Sequence, residues 1–319
     1  MTVIEGDKAE AGRAGRPGGH RPFAARIWRR ERTLARGERR TAWMMVSPTV
    51  LVIAGIAFVP VLLTVNLSLH NATLSSTGSF AGLGNYTFIF GDPVFRQSLL
   101  YSGIFTIVSV SIELVVGMVV ALVLNRRIRG GGMLRAVVLI PWAFPLSIAA
   151  ALTRLMLVPP FGVLAHLLGQ IGLSSDPLTS NTGLLIAVIA ADVWTSTPFI
   201  AVLLLAGLQT IPAEVHEAAK VDGATPFQSF WRITLPLLRG PMLVAVLFRT
   251  LQAWAAFDLF QVIAVHQINS LSTYVYQDVR QSDLYMGPGT AAAVFTFVSS
   301  LVIALVFIRG FGAQTVQEA

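Results

Sequence analysis

The sequence predicts an all-α integral membrane protein with six transmembrane helices and both termini on the cytoplasmic side. Three observations predict it. Hydrophobic residues make up 54% of the 319 and charged ones only 12%, giving a mean hydropathy of +0.69. Six apolar runs, near 42–67, 99–124, 136–157, 183–208, 240–265 and 290–309, are long enough to cross a membrane, which takes about 20 helical residues. Lys and Arg alternate between dense and sparse connections, the pattern that sets orientation. A soluble helical core would not need six such runs in one chain.

The first 41 residues hold 11 of the 23 Lys and Arg. Residues 1–20 are rich in Gly, Arg and Ala without apolar periodicity, so disorder is expected there. Phe23, Ile27, Trp28 and Leu34 stand among arginines; they suit either a short helix on the headgroups or a plain disordered tail. The run at 42–67 is too long for a signal-peptide core and no small-residue cleavage site follows it, so it is expected to be retained as a span. Pro60, Pro141, Pro145 and Pro198 fall inside the runs, as membrane helices tolerate.

Connections on one side carry the tail, Arg126, Arg127, Arg129, Arg135, Lys220, Arg232, Arg239 and Arg309; the other side carries only Arg96 and Arg280. That is 19 against 2, with both termini on the basic, cytoplasmic side. The isoelectric point near 10.5 does not imply nucleic acid, because the charge lies beside spans, where it meets anionic headgroups. With no Cys, disulfides and thiolate metal sites are excluded.

Residues 209–238 are unlike an ordinary connection between spans. Pro212–Val221 and Phe227–Leu235 read as two short helices joined at Gly223-Ala224-Thr225-Pro226. Pro212 suits a first helical turn. Gly223 suits a left-handed helix end, which Pro226 cannot extend. Ala218 and Ala219 give the first helix a small-residue face that another protein can approach closely. This is the shape of a docking element.

Glu217-Ala218-Ala219, then Gly223, Ile233, Leu235 and Pro236 at fixed spacing, resemble the EAA loop of ABC importer permeases. Other segments resemble the maltose/trehalose-type, binding-protein-dependent sugar importer permeases. They are Gly82-Leu83-Gly84-Asn85-Tyr86 with Asp92-Pro93-Val94-Phe95, Val193–Phe199, and Phe248-Arg249-Thr250-Leu251-Gln252 with Phe257-Asp258. The chain departs from that family at Thr153 and Ala165, at Gln252 in place of an acid, and at His266–Ser270 in place of Gly-Gly-Pro.

The resemblance implies a type I ABC importer permease fold in the bacterial plasma membrane. Residues 1–41 would be a basic cytoplasmic tail, 42–312 the permease domain with its EAA coupling loop at 209–238, and 313–319 a short cytoplasmic tail. Glu217, Ala218, Ala219, Asp222, Gly223 and Ala224 would dock on an ATPase. The implied partners are a second, related permease subunit, two ATP-binding subunits and an extracytoplasmic sugar-binding lipoprotein. The implied cargo is a disaccharide such as trehalose, with maltose-type oligosaccharides or glycerol 3-phosphate as alternatives. No cofactor is expected on this chain; ATP and Mg would be held by the ATPase partners.

No catalytic constellation is present. The chain has no phosphate loop of the Walker type, Gly130-Gly131-Gly132 lacks the Lys such a loop needs, and five His residues show no metal spacing. Inside the runs stand Glu113, Arg154, Asp192, Arg249 and Asp258, and each must face a cavity, a partner charge or an interface because lipid excludes them. At helical period Arg249, Gln252 and Ala256 share one face while Trp254 and Asp258 share the other, so only a bend could line one cavity with both. The candidate pathway residues are Arg249, Gln252, Trp254, Asp258, Trp194 and Arg154. The competing reading for them is ion pairing between helices, for example Glu113 or Asp192 with Arg249. A transporter driven by an ion gradient would also use Glu113 and Asp192, but it would not need a docking loop.

Overall fold

The computed structural model describes residues 23–73, 75–126, 130–172, 176–281 and 286–315. The tail before residue 23 and residues 316–319 lie outside the described residues. Among the described residues every regular element is helical.

Helix α1 (Phe23–Ser68) is one element of 46 residues. The basic segment after Phe23 is therefore neither a separate short helix nor an irregular tail. It runs straight into the first apolar stretch, as its Ala, Arg, Glu and Leu content allows, with Gly37 its one weak position. A short connection leads to α2 (Gly84–Gly91) and α3 (Pro93–Leu124). Asn85 donates to the carbonyls of Ser68 and His70 at 2.8 and 2.9 Å, tying that connection down. Asp92 caps α3 by accepting from the Val94 N–H at 2.9 Å and also accepts from the Tyr274 hydroxyl at 2.8 Å. Burial, then that bond to Asp92, pushes the Tyr274 phenol above its ordinary pKa.

Next come α4 (Gly131–Ala143), α5 (Leu146–Leu157), α6 (Val163–Gln170) and α7 (Asn181–Gln209). The third apolar run is not one straight helix. α4 and α5 meet at 85°, because Pro145 disfavours helical geometry in the residue before it, and Phe144 is extended at ψ 137°.

Helices α8 (Ala213–Val221), α9 (Pro226–Ser229), α10 (Leu235–Leu237) and α11 (Arg239–Trp254) follow, then α12 (Leu271–Gln281) and α13 (Met286–Thr315). A π-turn fills Phe230–Thr234 between α9 and α10. The fifth run also departs from a straight helix over 240–265. The α9–α10 stretch meets α11 at 67°. α11 ends at Trp254, and a second π-turn, Phe260–Ala264, precedes Val265 and His266 at φ 44° and 67°. Non-helical backbone at membrane depth needs its carbonyls satisfied from elsewhere in the protein. The Ser270 and Ser272 hydroxyls donate to the carbonyls of Ala256 and Ala255 at 2.6 and 3.0 Å. One Arg154 nitrogen donates to the Ile263 carbonyl at 2.6 Å.

Four helical stretches are long and apolar enough to cross a membrane: Thr41–Ser68, Pro93–Leu124, Asn181–Gln209 and Met286–Gly310. Each bent pair adds one if counted as a single crossing, which gives six. Helices α3 and α7 form the centre. Gly117 makes their close approach possible, since a Cβ there would lie 2.8 Å from Ile200 Cγ2. Around it Met118, Ala121 and Leu124 pack with Ile200, Leu204 and Leu208. The other side of α3 presents Ile107, Val115 and Val119 outward, an apolar face of the kind a bilayer covers.

Candidate functional site

The segment 209–238 takes the shape its residues dictate. Pro212 is the N-cap of α8 and Lys220 sits in its last turn. Gly223 adopts φ +77°. The Gly223 N–H donates to the Lys220 carbonyl at 3.1 Å and the Ala224 N–H to the Ala219 carbonyl at 2.9 Å, a full Schellman ending. Thr225 and Gln228 then form a capping box over Pro226 at the start of α9. Glu217, Ala218, Asp222 and Gly223 are exposed and Ala219 is buried, so α8 is held from one side and open on the other.

The second constellation lies where α3, α7 and α11 meet. Arg249 Nε and one terminal nitrogen donate to the two oxygens of Glu113 at 2.7 and 2.8 Å. That terminal nitrogen also reaches Asp192 Oδ2 at 2.9 Å, and the other reaches Gln252 Oε1 at 2.9 Å. Ser196 donates to Asp192 Oδ1 at 3.2 Å. Glu113, Asp192 and Arg249 are 0%, 3% and 4% exposed. Buried charges persist in pairs with their hydrogen-bonding capacity filled, and this cluster fills it from three helices.

Beside it opens a cavity of about 250 Å³ lined by Trp142, Phe144, Asp192, Thr195, Ser196, Arg249 and Gln252, among others. Of the pathway candidates, Arg249 and Gln252 meet here. Trp254 faces the other way and donates to Ser299 Oγ of α13 at 2.8 Å. Asp258 lies half-buried just past the break in the chain and is not in the wall. Trp194 lines a separate apolar recess with Leu152, Thr153 and Met156, while Arg154 is spent on the π-turn carbonyl.

Sequence reasoning missed Trp142 and Phe144. Their signal was an aromatic pair directly before a proline in an apolar run; at the bend they border the cavity while remaining 55% and 42% exposed. Trp142 also stacks on Phe199, with ring centroids 6.0 Å apart and planes 26° apart.

A family model described as "Binding-protein-dependent transport system inner membrane component" matches residues 113–311, most of the chain. The chain belongs to this family. It is accordingly a membrane transport component and not an enzyme. The trehalose/maltose transport system permease protein MalF of Thermococcus litoralis is 36% identical over 278 residues, covering 85% of this chain and 94% of that one. The trehalose transport system permease protein SugA of Mycobacterium tuberculosis is 36% identical over 280 residues, covering 86% and 90%. A crystal structure of a bacterial ABC transporter involved in the import of the acidic polysaccharide alginate matches with a TM-score of 0.72 at 21% identity, over 90% of this chain and 99% of that chain. The shared fold is that of ABC importer permeases. Residues 209–238 and all three members of the buried ion cluster fall inside the matched region.

Proposed function

We propose that this chain is the six-span permease subunit of an ATP-driven importer that carries a sugar, foremost a disaccharide such as trehalose, across the bacterial plasma membrane. A second permease subunit, two ATP-binding subunits with their ATP and Mg, and an extracytoplasmic sugar-binding protein complete the machine. Both termini face the cytoplasm, as the distribution of Lys and Arg supports. The α8 helix docks on an ATPase subunit, and ATP-driven closure tilts the helices so that the cavity opens outward and receives sugar from the closed binding protein.

The observation that carries the reading is the cavity wall. Trp142 and Phe144 line the same cavity as Gln252, Thr195 and Ser196, so aromatic rings and hydrogen-bonding side chains border one space. A flat aromatic face suits the apolar face of a sugar ring, and the opposing polar groups suit its hydroxyls. The relatives named for trehalose and maltose support the same cargo.

The test is uptake of labelled trehalose by cells carrying the assembled system. Trp142→Ala and Gln252→Ala should each lower uptake roughly tenfold, the worth of one aromatic or hydrogen-bonding contact, with the complex as abundant as before. Undiminished uptake in both variants sinks the cavity assignment. Competition by maltose or glycerol 3-phosphate in place of trehalose would reassign the cargo, and uptake that persists after ATP depletion would sink the ATP-driven reading.

A further inference from the structure

A second concavity, a groove of about 610 Å³, lies between the last turn of α3 and the α8–α9 corner. Arg126 and Lys220 supply its charge, His216 and Ser229 further polar groups, and Leu122 and Phe230 an apolar floor. No acidic side chain lines it among the described residues. Helix α8 sorts its charges to produce this. His216 and Lys220, one turn apart, face the groove beside buried Ala219. Glu214, Glu217 and Val221 share the other face of the helix.

The apolar floor continues away from the charges. Val119, Leu122 and Val123 recur at the spacing of one face of α3, with Arg126 beyond its end, and Val119 and Val123 are 57% and 44% exposed. The site thus has a cationic mouth at the end of a span and a hydrocarbon-facing track leading from it. An acidic protein surface would match the mouth and leave the track bare; an anionic amphiphile matches both.

We propose that this groove binds an anionic phospholipid, its phosphate between Arg126 and Lys220 and its acyl chains along Val119 and Val123. The inference goes beyond transport and does not depend on which cargo is carried. Bound there, the lipid would brace the back of α8 from the membrane side.

Native mass spectrometry of the full-length chain in mild detergent tests it, with phosphatidylglycerol and phosphatidylcholine titrated separately. The R126Q/K220Q variant should bind phosphatidylglycerol roughly 30-fold more weakly, as two lost basic contacts at a membrane surface imply. Phosphatidylcholine binding should not change. The control pair R135Q/R239Q removes the same charge outside the groove and should bind as the parent does. The charge-conserving R126K/K220R should retain binding, which keeps the test independent of any folding defect in the neutral variant. Equal loss in the groove and control variants, or no preference for phosphatidylglycerol in the parent, overturns the proposal. So does the finding, in nanodiscs of neutral lipid, that R126Q/K220Q sheds the ATP-binding subunits, because the groove would then serve an acidic protein surface.

Discussion

Replacing Arg249 with Met removes the one cation from a cluster of two buried carboxylates and leaves the side-chain stem in place. Three hydrogen bonds to carboxylate oxygens, at 2.7, 2.8 and 2.9 Å, disappear together, as does the 2.9 Å bond to Gln252. The larger effect is on what remains. Glu113 and Asp192, at 0% and 3% exposure, would be left facing each other without their partner. Breaking a buried pair on one side costs about 3–5 kcal/mol, against a total stability of about 5–15 kcal/mol for a typical folded domain. Arg249→Met should therefore lower the thermal midpoint of the detergent-solubilised chain sharply and reduce the amount recovered in assembled complexes. Adding Glu113→Gln and Asp192→Asn to the same chain removes the uncompensated charges and should return most of both. If Arg249→Met melts and assembles like the parent, or if the triple variant is no better than the single one, the cluster does not tie α11 to α3 and α7. Transport by the rescued triple variant then separates two roles. Recovery of uptake identifies a structural tie alone, and stable complexes without uptake identify a cluster that also meets the cargo.

Gly223→Val should uncouple transport from ATP hydrolysis while leaving the chain inserted. The position holds φ +77° with nothing within 4 Å of an added Cβ, so the cost is conformational, about 1–2 kcal/mol for a left-handed side-chain residue; Gly223→Asn should be milder, and normal transport by the Val variant would refute the docking role. Orientation is readable in a chain with no native Cys. A Cys at exposed Gln170 should react with an impermeant maleimide from outside and one at exposed Ala213 only from inside, and reversed labelling would overturn the cytoplasmic placement of α8.

What was legible in the sequence followed local rules. Gly223, Thr225, Pro226 and Gln228 specify a helix end and a helix start through contacts within a few residues of each other, so the corner could be read directly. The helical period likewise separated Arg249 and Gln252 from Trp254, and the structure sends Trp254 to Ser299 on α13. The breaks were harder for two different reasons. Pro145 signals a kink but not its 85°. The end of α11 carries neither Gly nor Pro between Ala253 and Ile263. That backbone is released from the helix where Ser270, Ser272 and Arg154 supply hydrogen bonds, and such tertiary partners leave no periodic trace. Trp142 and Phe144 were missed for the same reason, because only the bend after them turns an apolar stretch into a cavity wall.

These breaks also say how a push on α8 would travel. From Gly223 the chain continues through α9, the π-turn and α10 into α11, whose far half carries Arg249. The 67° bend between α10 and α11 rests on Gly207 of α7, where a Cβ would come within 2.6 Å of Pro241 Cγ and 3.0 Å of Leu238 Cδ2. A side chain at 207 would collide there, so α7 and the bend approach as closely as a glycine allows. On one side the chain leads back to α8. On the other side α11, 16 residues long and so about 24 Å at 1.5 Å per residue, carries about two-thirds of the way along it the arginine that ties α11 to α3 and α7. A tilt of α8 carried through that bend would reach the cavity as a displacement of Arg249 and Gln252 against Glu113 and Asp192. If α8 docks and moves as proposed, the ion cluster would be the place where that movement and the shape of the cavity are coupled. That would account for a buried charge network persisting where well-packed apolar side chains are often as stable or more so.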